Sequence, residues 1–219
     1  MNGRFLDRTD AGQRLGKALA KYAGRKDVLV LGLPRGGVPV ACQVARALKA
    51  PVDACIVRKL GTPGQEELAM GAIASGGIRV LNEDVIASLD IPPSTITAVE
   101  ARERRELERR ERDYREGRPA PVIKDRTVIL VDDGVATGAT MFAAIQALRQ
   151  GGPRSLVVAV PVAPPSTVEE LERKADEVVC LLAPEYFFAI GAWYDDFGQT
   201  SDEEVRDCLH HQARPVSPT

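Results

Sequence analysis

The stretch of the chain that decides the fold reads Val128-Ile129-Leu130-Val131-Asp132-Asp133-Gly134-Val135-Ala136-Thr137-Gly138-Ala139-Thr140. Its first four residues are apolar and mostly β-branched, which is typical of a strand buried on both faces. Two adjacent carboxylates follow the strand, and a loop of small residues then leads into a helical pattern at 139–148. A strand, a short loop and a helix in this order predict one β-α unit of a parallel sheet.

The same alternation extends to both sides of this unit. Apolar runs predict further strands at 28–33, 52–57, 155–160 and 177–182, and helical patterns predict helices at 38–48 and 167–175. We therefore expect an α/β fold with a doubly wound, mostly parallel sheet. A length of 219 residues suits a single domain over 1–219, with a core at about 27–60 and 122–183.

An insertion at about 61–121 departs from this alternation. It contains a predicted hairpin, 69–74 with 78–81, then a short helix capped by Asn82 and one long charged helix at 94–118. Within that helix, eight arginines stand against seven acidic residues between Glu100 and Arg118. Such a balance indicates a solvated helix held by ion pairs, because a nucleic-acid arm would carry a one-sided basic excess.

The second departure is a C-terminal hood and tail at about 184–219. It holds six of the ten aromatic residues of the chain: Tyr186, Phe187, Phe188, Trp193, Tyr194 and Phe197. A capping box at Ser201–Glu204 predicts a last short helix, followed by a frayed tail at 214–219. His210 and His211 lie on that helix without spaced partners, so we assign them to the tail and not to a metal site.

Composition limits the function classes. The net charge of −2 gives no basic excess for a nucleic-acid partner, and no apolar stretch has the roughly 18 residues of a membrane span. The first residues lack the apolar core of a signal peptide, so we expect a cytoplasmic protein. The four cysteines lie far apart; three of them stand in apolar runs that indicate buried thiols, and we expect no disulfide framework.

The loop after the decisive strand suits a phosphate. Gly134 and Gly138 allow the backbone to approach closely, the first N–H groups of the next helix are unpaired donors, and Thr137 and Thr140 add hydroxyls. The preceding carboxylates can accept hydrogen bonds from a vicinal diol or lie near a metal ion. The loop is neither a Walker loop nor a GxGxxG fingerprint, which leaves a dinucleotide site unsupported.

Two further groups of residues follow predicted strands. Arg35, Gly36 and Gly37 come after the first strand, and Arg58 and Lys59 end the second. Glycine N–H groups and a guanidinium suit an anion, although a plain β-α turn and a surface cation pair remain the alternatives. Because the carboxyl ends of parallel strands share one edge of the sheet, we expect all three groups to converge there.

The decisive string resembles the phosphoribosyl-pyrophosphate signature of the type I phosphoribosyltransferases, whose members use 5-phosphoribosyl-1-pyrophosphate (PRPP) with Mg²⁺. The resemblance implies that Asp132 and Asp133 hold the ribose hydroxyls, with Mg²⁺ carried by PRPP near them. It places Ala136, Thr137, Gly138, Ala139 and Thr140 around the 5-phosphate. It makes Arg35, Gly36 and Gly37 the pyrophosphate loop, often with an unusual peptide conformation, and Arg58 and Lys59 its basic partners.

The resemblance further implies a flexible loop at 60–67 that closes over PRPP, and an acceptor pocket under the aromatic hood. Glu66 or Glu67 could enter the site on closure, with a solvated loop acid as the alternative, and Asp195 or Asp196 could accept a base N–H. The hood matches no specificity segment of the hypoxanthine-guanine, adenine, uracil or orotate enzymes. We therefore expect phosphoribosyl transfer to an unassigned small nitrogenous acceptor. The alternative is a PRPP-sensing protein without transferase activity. Whether the chain forms a homodimer is left open.

Overall fold

A computed structural model describes residues 3–213, except for the side chains of Glu66, Glu67 and 211–213. The predicted tail at 214–219, the side chain of His211 and the predicted roles of Glu66 and Glu67 lie outside the described residues. The strands are β1 (Val28–Gly32), β2 (Val52–Ala54), β3 (Val57–Thr62), β4 (Gln65–Ala74), β5 (Ile78–Leu81), β6 (Thr127–Val131), β7 (Ser155–Val162) and β8 (Glu177–Leu182). The helices are α1 (Arg8–Ala18), α2 (Gly37–Leu48), α3 (Glu83–Ser88), α4 (Pro93–Arg115), α5 (Ala139–Gln150), α6 (Pro165–Glu172) and α7 (Asp202–Ala213).

The central sheet has five strands in the order β2-β1-β6-β7-β8, and every neighbouring pair is parallel. Alternate residues of β1 and β6 face opposite sides. Val28 and Val30 pack towards α1 and α2, whereas Leu29 and Leu31 pack towards α5 and α6. Each fully buried side chain of this kind contributes about 1.5–3 kcal/mol by leaving water. The predicted doubly wound, mostly parallel sheet is confirmed.

The insertion forms a second, antiparallel sheet of β3, β4 and β5. The predicted second strand at 52–57 is wrong at its end, because β2 stops at Ala54 and Val57 already belongs to the second sheet. Cys55 and Ile56, between the two strands, are buried. An apolar run therefore continues across the change of sheet, and hydrophobicity alone does not reveal it.

The predicted flexible loop at 60–67 is the tip of this hairpin. β3 continues to Thr62 and β4 begins at Gln65, so that only Pro63 and Gly64 form the turn. Gly64 has φ +80°, a left-handed conformation that glycine adopts without a steric penalty. The glycines and proline that suggested a loop mark a tight turn with irregular pairing beside it, because the β3–β4 register shifts on both sides of Gly61.

The predicted long helix is confirmed as α4, and its sparse apolar stripe (Ile96, Val99, Leu107 and Tyr114) is buried against the body. Asn82 caps α3 by accepting a hydrogen bond from Val85 N at 3.3 Å. Ser201 and Glu204 form the predicted capping box of α7, with each side chain accepting from the other residue's backbone N–H. Among the described residues, no helix is long and apolar enough to cross a bilayer.

A disulfide joins Cys42 of α2 to Cys208 of α7, so the expectation of buried thiols alone is wrong for this pair. Cys55 and Cys180 are free. The two bonded residues are 166 positions apart in the sequence, and only the packing of α7 on α2 brings them together. Their spacing therefore held no signal for the bond.

Candidate functional site

The site lies at the carboxyl edge of the central sheet, where the loops after β1 and β6 meet. The loop at 33–37 is tied to β6 by a hydrogen bond from Leu33 N to Val131 O at 2.9 Å. The peptide bond between Pro34 and Arg35 is cis, which is an unusual conformation of the kind expected at this position. The predicted loop at 35–37 and the predicted carboxylate pair, Asp132 and Asp133, are thus neighbours in space.

Two glycines allow these loops to touch. A Cβ atom on Gly36 would lie 1.9 Å from Asp133 Oδ2, and one on Gly37 would lie 2.8 Å from the Cα atom of Asp132. Neither distance leaves room for a side chain, because real Cβ atoms keep at least 3 Å from such neighbours. The two glycines are therefore required by the close approach of the loop at 33–37 to the carboxylates.

The carboxylate pair is unequally partnered. Asp132 Oδ1 accepts a hydrogen bond from the backbone N–H of Asp133 at 2.9 Å, and Asp133 Oδ2 accepts one from Arg8 Nε at 2.8 Å. Burial, and then the neighbouring Asp133 carboxylate, raise the pKa of Asp132 well above its usual range, while the Arg8 guanidinium acts in the opposite direction. Displaced pKa values of this origin are common where a charged ligand binds.

The loop after the carboxylates leads into helix α5 and is partly exposed to solvent. Gly138, with φ +80°, is the N-cap residue of α5 and supplies no side-chain cap to the first N–H groups of that helix. Ala136, Thr137 and Thr140 are exposed beside it. Backbone donors, hydroxyl groups and the positive end of a helix dipole at one place form a suitable environment for a phosphate.

The structure does not place Arg58 and Lys59 at the end of a parallel strand, so that part of the prediction is wrong. Both lie within β3, since the chain has already left the central sheet. The Arg58 guanidinium pairs with Glu103 of α4, with its shortest N–O distance at 2.6 Å. Their contact with pyrophosphate stays a prediction.

The aromatic hood is connected to the carboxylates. The buried Tyr194 packs on Phe5 and Phe197, and its O–H donates to the backbone carbonyl of Asp133 at 2.6 Å. Burial raises the pKa of Tyr194, with the Asp133 carboxylate acting in the same direction. In contrast, Tyr186 and Phe188 are 81% and 91% exposed, so they are free to contact a ligand.

The N-terminal segment was missed by the sequence analysis. Helix α1 begins with Asp7 as its cap, and Arg8 reaches from its first turn to Asp133. The apolar residues Ala11, Leu15 and Leu19 have helical spacing and could have revealed the helix. The partner of Arg8 lies 125 residues away, and nothing local in the sequence indicated it.

The carboxylates are of the donor type that suits Mg²⁺, which commonly takes one or two carboxylates together with substrate phosphates. Among the side chains that the structure describes, which exclude those of Glu66, Glu67 and 211–213, no group of three or more histidine, cysteine, aspartate or glutamate residues could hold a metal ion by itself. Asp132 and Asp133 would therefore hold the ion only jointly with a phosphorylated ligand.

Comparison with known proteins gives the chain a family. The sequence model of the phosphoribosyl transferase domain matches residues 5–196. The chain is 50% identical over 201 residues to a Mycobacterium tuberculosis protein named "Putative phosphoribosyl transferase Rv0571c". That match covers 92% of this chain and 45% of the relative, so the chain spans about half the length of the curated relatives it matches.

Solved structures agree with the fold. The crystal structure of TT1426 from Thermus thermophilus has 48% sequence identity and a TM-score of 0.88, covering 96% of this chain and all of that one (100%). The AQ2163 protein from Aquifex aeolicus shares 12% identity at a TM-score of 0.51, covering 93% and 85% of the two chains. At this low identity, the similarity to AQ2163 shows only that the two chains share a fold.

Proposed function

This chain belongs to the phosphoribosyl transferase domain family, and from that premise we propose that it is a Mg²⁺-dependent phosphoribosyltransferase that binds PRPP. The observation that carries the proposal is the contact between two loops at one sheet edge. The glycine loop at 33–37 touches a carboxylate pair, and the N-terminus of α5, which has no side-chain cap, follows directly with its loop at 136–140. PRPP offers a matching order of groups: pyrophosphate, ribose diol and 5-phosphate.

Each part of the site has a role in this proposal. Asp132 and Asp133 accept hydrogen bonds from the ribose hydroxyls, while Gly134 and the loop at 136–140 hold the 5-phosphate. Arg35 and the N–H group of Gly36 face the pyrophosphate, whereas the N–H of Gly37 donates to Leu33 O at 3.0 Å and shapes the loop. The residues thereby fix both ends of the ligand and leave C1 of the ribose between them.

The reaction is the replacement of one bond at C1 by another. The bond from C1 to the pyrophosphate oxygen breaks, the oxygen keeps the electron pair, and a nitrogen of the acceptor forms a new bond to C1. Positioning and charge carry most of the catalysis, since cationic groups stabilise the departing pyrophosphate. Bound Mg²⁺ supplies further charge neutralisation of the phosphate oxygens.

The hairpin tip at 62–65 is the proposed cover of the site. An oxocarbenium-like centre beside water would be hydrolysed, so a transferase needs to exclude water during transfer. Arg58 lies on the same strand as the tip, and its present partner is Glu103. Exchange of that partner for pyrophosphate would link ligand binding to movement of the hairpin.

The test is an acceptor panel. The protein is incubated with Mg²⁺, PRPP and a series of bases, amines and small acids, and mass spectrometry follows pyrophosphate release together with each phosphoribosylated product. We expect at least one acceptor to react. A variant with both Asp132→Asn and Asp133→Asn serves as the control and should form no product.

The alternative function, PRPP sensing without transfer, gives a different result. In that case PRPP binds at micromolar affinity while no acceptor of a broad panel reacts.

Replacing Thr62–Gln65 by Gly-Gly tests the covering role of the hairpin once an acceptor is known. The shortened hairpin should keep PRPP affinity within about tenfold, or 1.4 kcal/mol, while transfer falls much further and hydrolysis takes a larger share. Transfer at the parent rate would refute the covering role.

A further inference from the structure

One guanidinium joins three regions of the chain at the carboxylate pair. Arg8 stands in the first turn of α1, and its Nε donates to Asp133 Oδ2 at 2.8 Å. Its Nη1 donates to the backbone carbonyl of Gly198 in the hood at 2.7 Å, and its Cζ atom lies over the Phe197 ring, 4.1 Å from the ring centre. The N-terminal helix, the carboxylate loop and the hood therefore meet at a single side chain.

The arrangement restricts the Asp133 carboxylate. Its side chain is only 12% exposed and that of Arg8 only 15%. Arg8 binds one carboxylate oxygen, and Gly36 stands directly against the same group, where even a Cβ atom would not fit. The carboxylate thus has one fixed orientation, with its other oxygen, Oδ1, available to a ligand.

Stability alone does not explain this pair. Removing two charges from water is costly, and an ion pair this enclosed often adds little net stability to a fold. A neighbouring arginine of the same helix shows the ordinary arrangement, because Arg14 pairs with Asp10 one turn away and stays 43% exposed. Arg8 differs in that its partner is a ligand-facing carboxylate.

We propose that Arg8 is a positioning residue, which orients Asp133 towards the ribose diol and transmits the position of the hood to that carboxylate through Gly198 and Phe197. The proposal rests on the proposed PRPP site and deepens it. Arg8 acts through Asp133 and touches neither the pyrophosphate nor the acceptor. Binding of an acceptor under the hood and binding of the ribose are therefore coupled through one side chain.

The test separates ribose recognition from pyrophosphate recognition. Calorimetry measures the affinity of Mg²⁺-PRPP and, separately, of Mg²⁺-pyrophosphate for the parent protein, for Arg8→Gln and for the matched control Arg14→Gln. We expect Arg8→Gln to weaken PRPP binding on the order of tenfold or more and to leave pyrophosphate binding within about twofold. Arg14→Gln should leave both affinities unchanged.

A double-mutant cycle with Asp133→Asn tests whether Arg8 acts through that carboxylate. If it does, adding Arg8→Gln to Asp133→Asn should weaken PRPP binding by less than about twofold more. Additive losses, or an equal loss of PRPP and pyrophosphate affinity, would overturn the positioning role, since they indicate general distortion or a direct pyrophosphate contact. Arg8→Lys carries the same test if Arg8→Gln does not fold. It keeps the charge, loses the planar fork, and should show the same selective loss of PRPP affinity at about threefold.

The result for the parent protein keeps the two proposals apart. No binding of Mg²⁺-PRPP to the parent protein refutes the PRPP site itself. Binding by the parent that is equal in Arg8→Gln refutes only the role of Arg8.

Discussion

The carboxylate edge and helix α4 both concentrate charge, but they arrange it in opposite ways. On α4 the charges are matched along the surface. Arg109 bridges Glu106 and Asp113, and its hydrogen bond lowers the pKa of Glu106 to about 2. At the sheet edge only one of two adjacent carboxylates, Asp133, pairs with an arginine, and burial raises the pKa of the other, Asp132. The charges on α4 are therefore paired with one another in the absence of a ligand, whereas the carboxylates at the sheet edge are not fully paired.

This difference shows how to separate a structural charge from a functional one. Exposed ion pairs at helical spacing contribute about 0–1 kcal/mol each and bind nothing further. A crowded, half-buried pair of like charges costs free energy in the empty protein, and a ligand with donor groups relieves that cost. Substitutions at the two places should consequently have effects of different kind and size.

The largest effect is expected from Gly36→Ala. The new Cβ atom would lie 1.9 Å from Asp133 Oδ2, so the carboxylate has to move and its contact with Arg8 breaks. PRPP affinity should fall by about a hundredfold, because losing hydrogen bonds between the ribose and a charged carboxylate costs up to about 3 kcal/mol. Gly3→Ala is the control, since a Cβ atom there would meet nothing within 4 Å. Calorimetry that finds equal PRPP affinity in Gly36→Ala would show that the contact is irrelevant to binding.

A smaller effect is expected from Thr137→Ala. The side chain is exposed, and its loss removes one hydroxyl donor to the 5-phosphate, at a cost of about 1.5–3 kcal/mol in PRPP binding. The matched substitution on α4 is Thr97→Ala, whose hydroxyl donates only to Pro93 O of its own helix. The PRPP affinity of both variants is measured by calorimetry. If Thr97→Ala weakens PRPP binding and Thr137→Ala does not, the Thr137 hydroxyl is not a phosphate ligand.

Asp132→Asn tests whether the ionised Asp132 carboxylate destabilises the protein without ligand. Because the native pKa is raised, the folded protein binds a proton more readily than the unfolded chain, so the free energy of unfolding falls as pH rises through the raised pKa. The variant lacks this fall and should melt at the same or a higher temperature at pH 7, while Mg²⁺-PRPP no longer raises its Tm. Thermal melting between acid and neutral pH measures both. A lower Tm of the variant at neutral pH would mean that the ionised carboxylate stabilises the fold.

The smallest effect is expected on α4. Arg109→Ala removes two surface ion pairs and should lower the free energy of unfolding by less than about 1 kcal/mol, with PRPP affinity unchanged. Urea unfolding compares it with Arg112→Ala, at an exposed arginine of the same helix. A change in PRPP affinity for Arg109→Ala would erase the distinction between the two regions.

The sequence predicted those parts of the molecule that local patterns encode. The strand-loop-helix unit at 128–148 was predictable because buried strands are continuous apolar runs, and glycines mark close backbone approach. The convergence of the loop at 33–37 on the carboxylates followed from the parallel sheet. The balanced charges of α4 likewise predicted a solvated helix held by ion pairs.

Long-range contacts were not predictable. The end of β2 at Ala54 was hidden because Cys55 and Ile56 stay buried across the change of sheet, so Arg58 was assigned to the central sheet although it belongs to β3 of the second sheet. Arg8 reaches Asp133, and Cys42 reaches Cys208, across more than half of the chain. Such pairs depend on how whole helices pack against the rest of the molecule, and no periodicity in the sequence predicts that packing.

The disulfide has a mechanical consequence for the site. It closes residues 42–208 into a covalent ring, which contains Asp132, Asp133 and the phosphate loop. A pulling force applied to the chain on either side of the ring passes through the sulfur atoms and does not stretch the strands inside it. Helix α1, strand β1 and the loop at 33–37 lie outside the ring and bear the load. Under tension the protein would therefore lose Arg8 and its glycine loop first, while the carboxylates keep their strand.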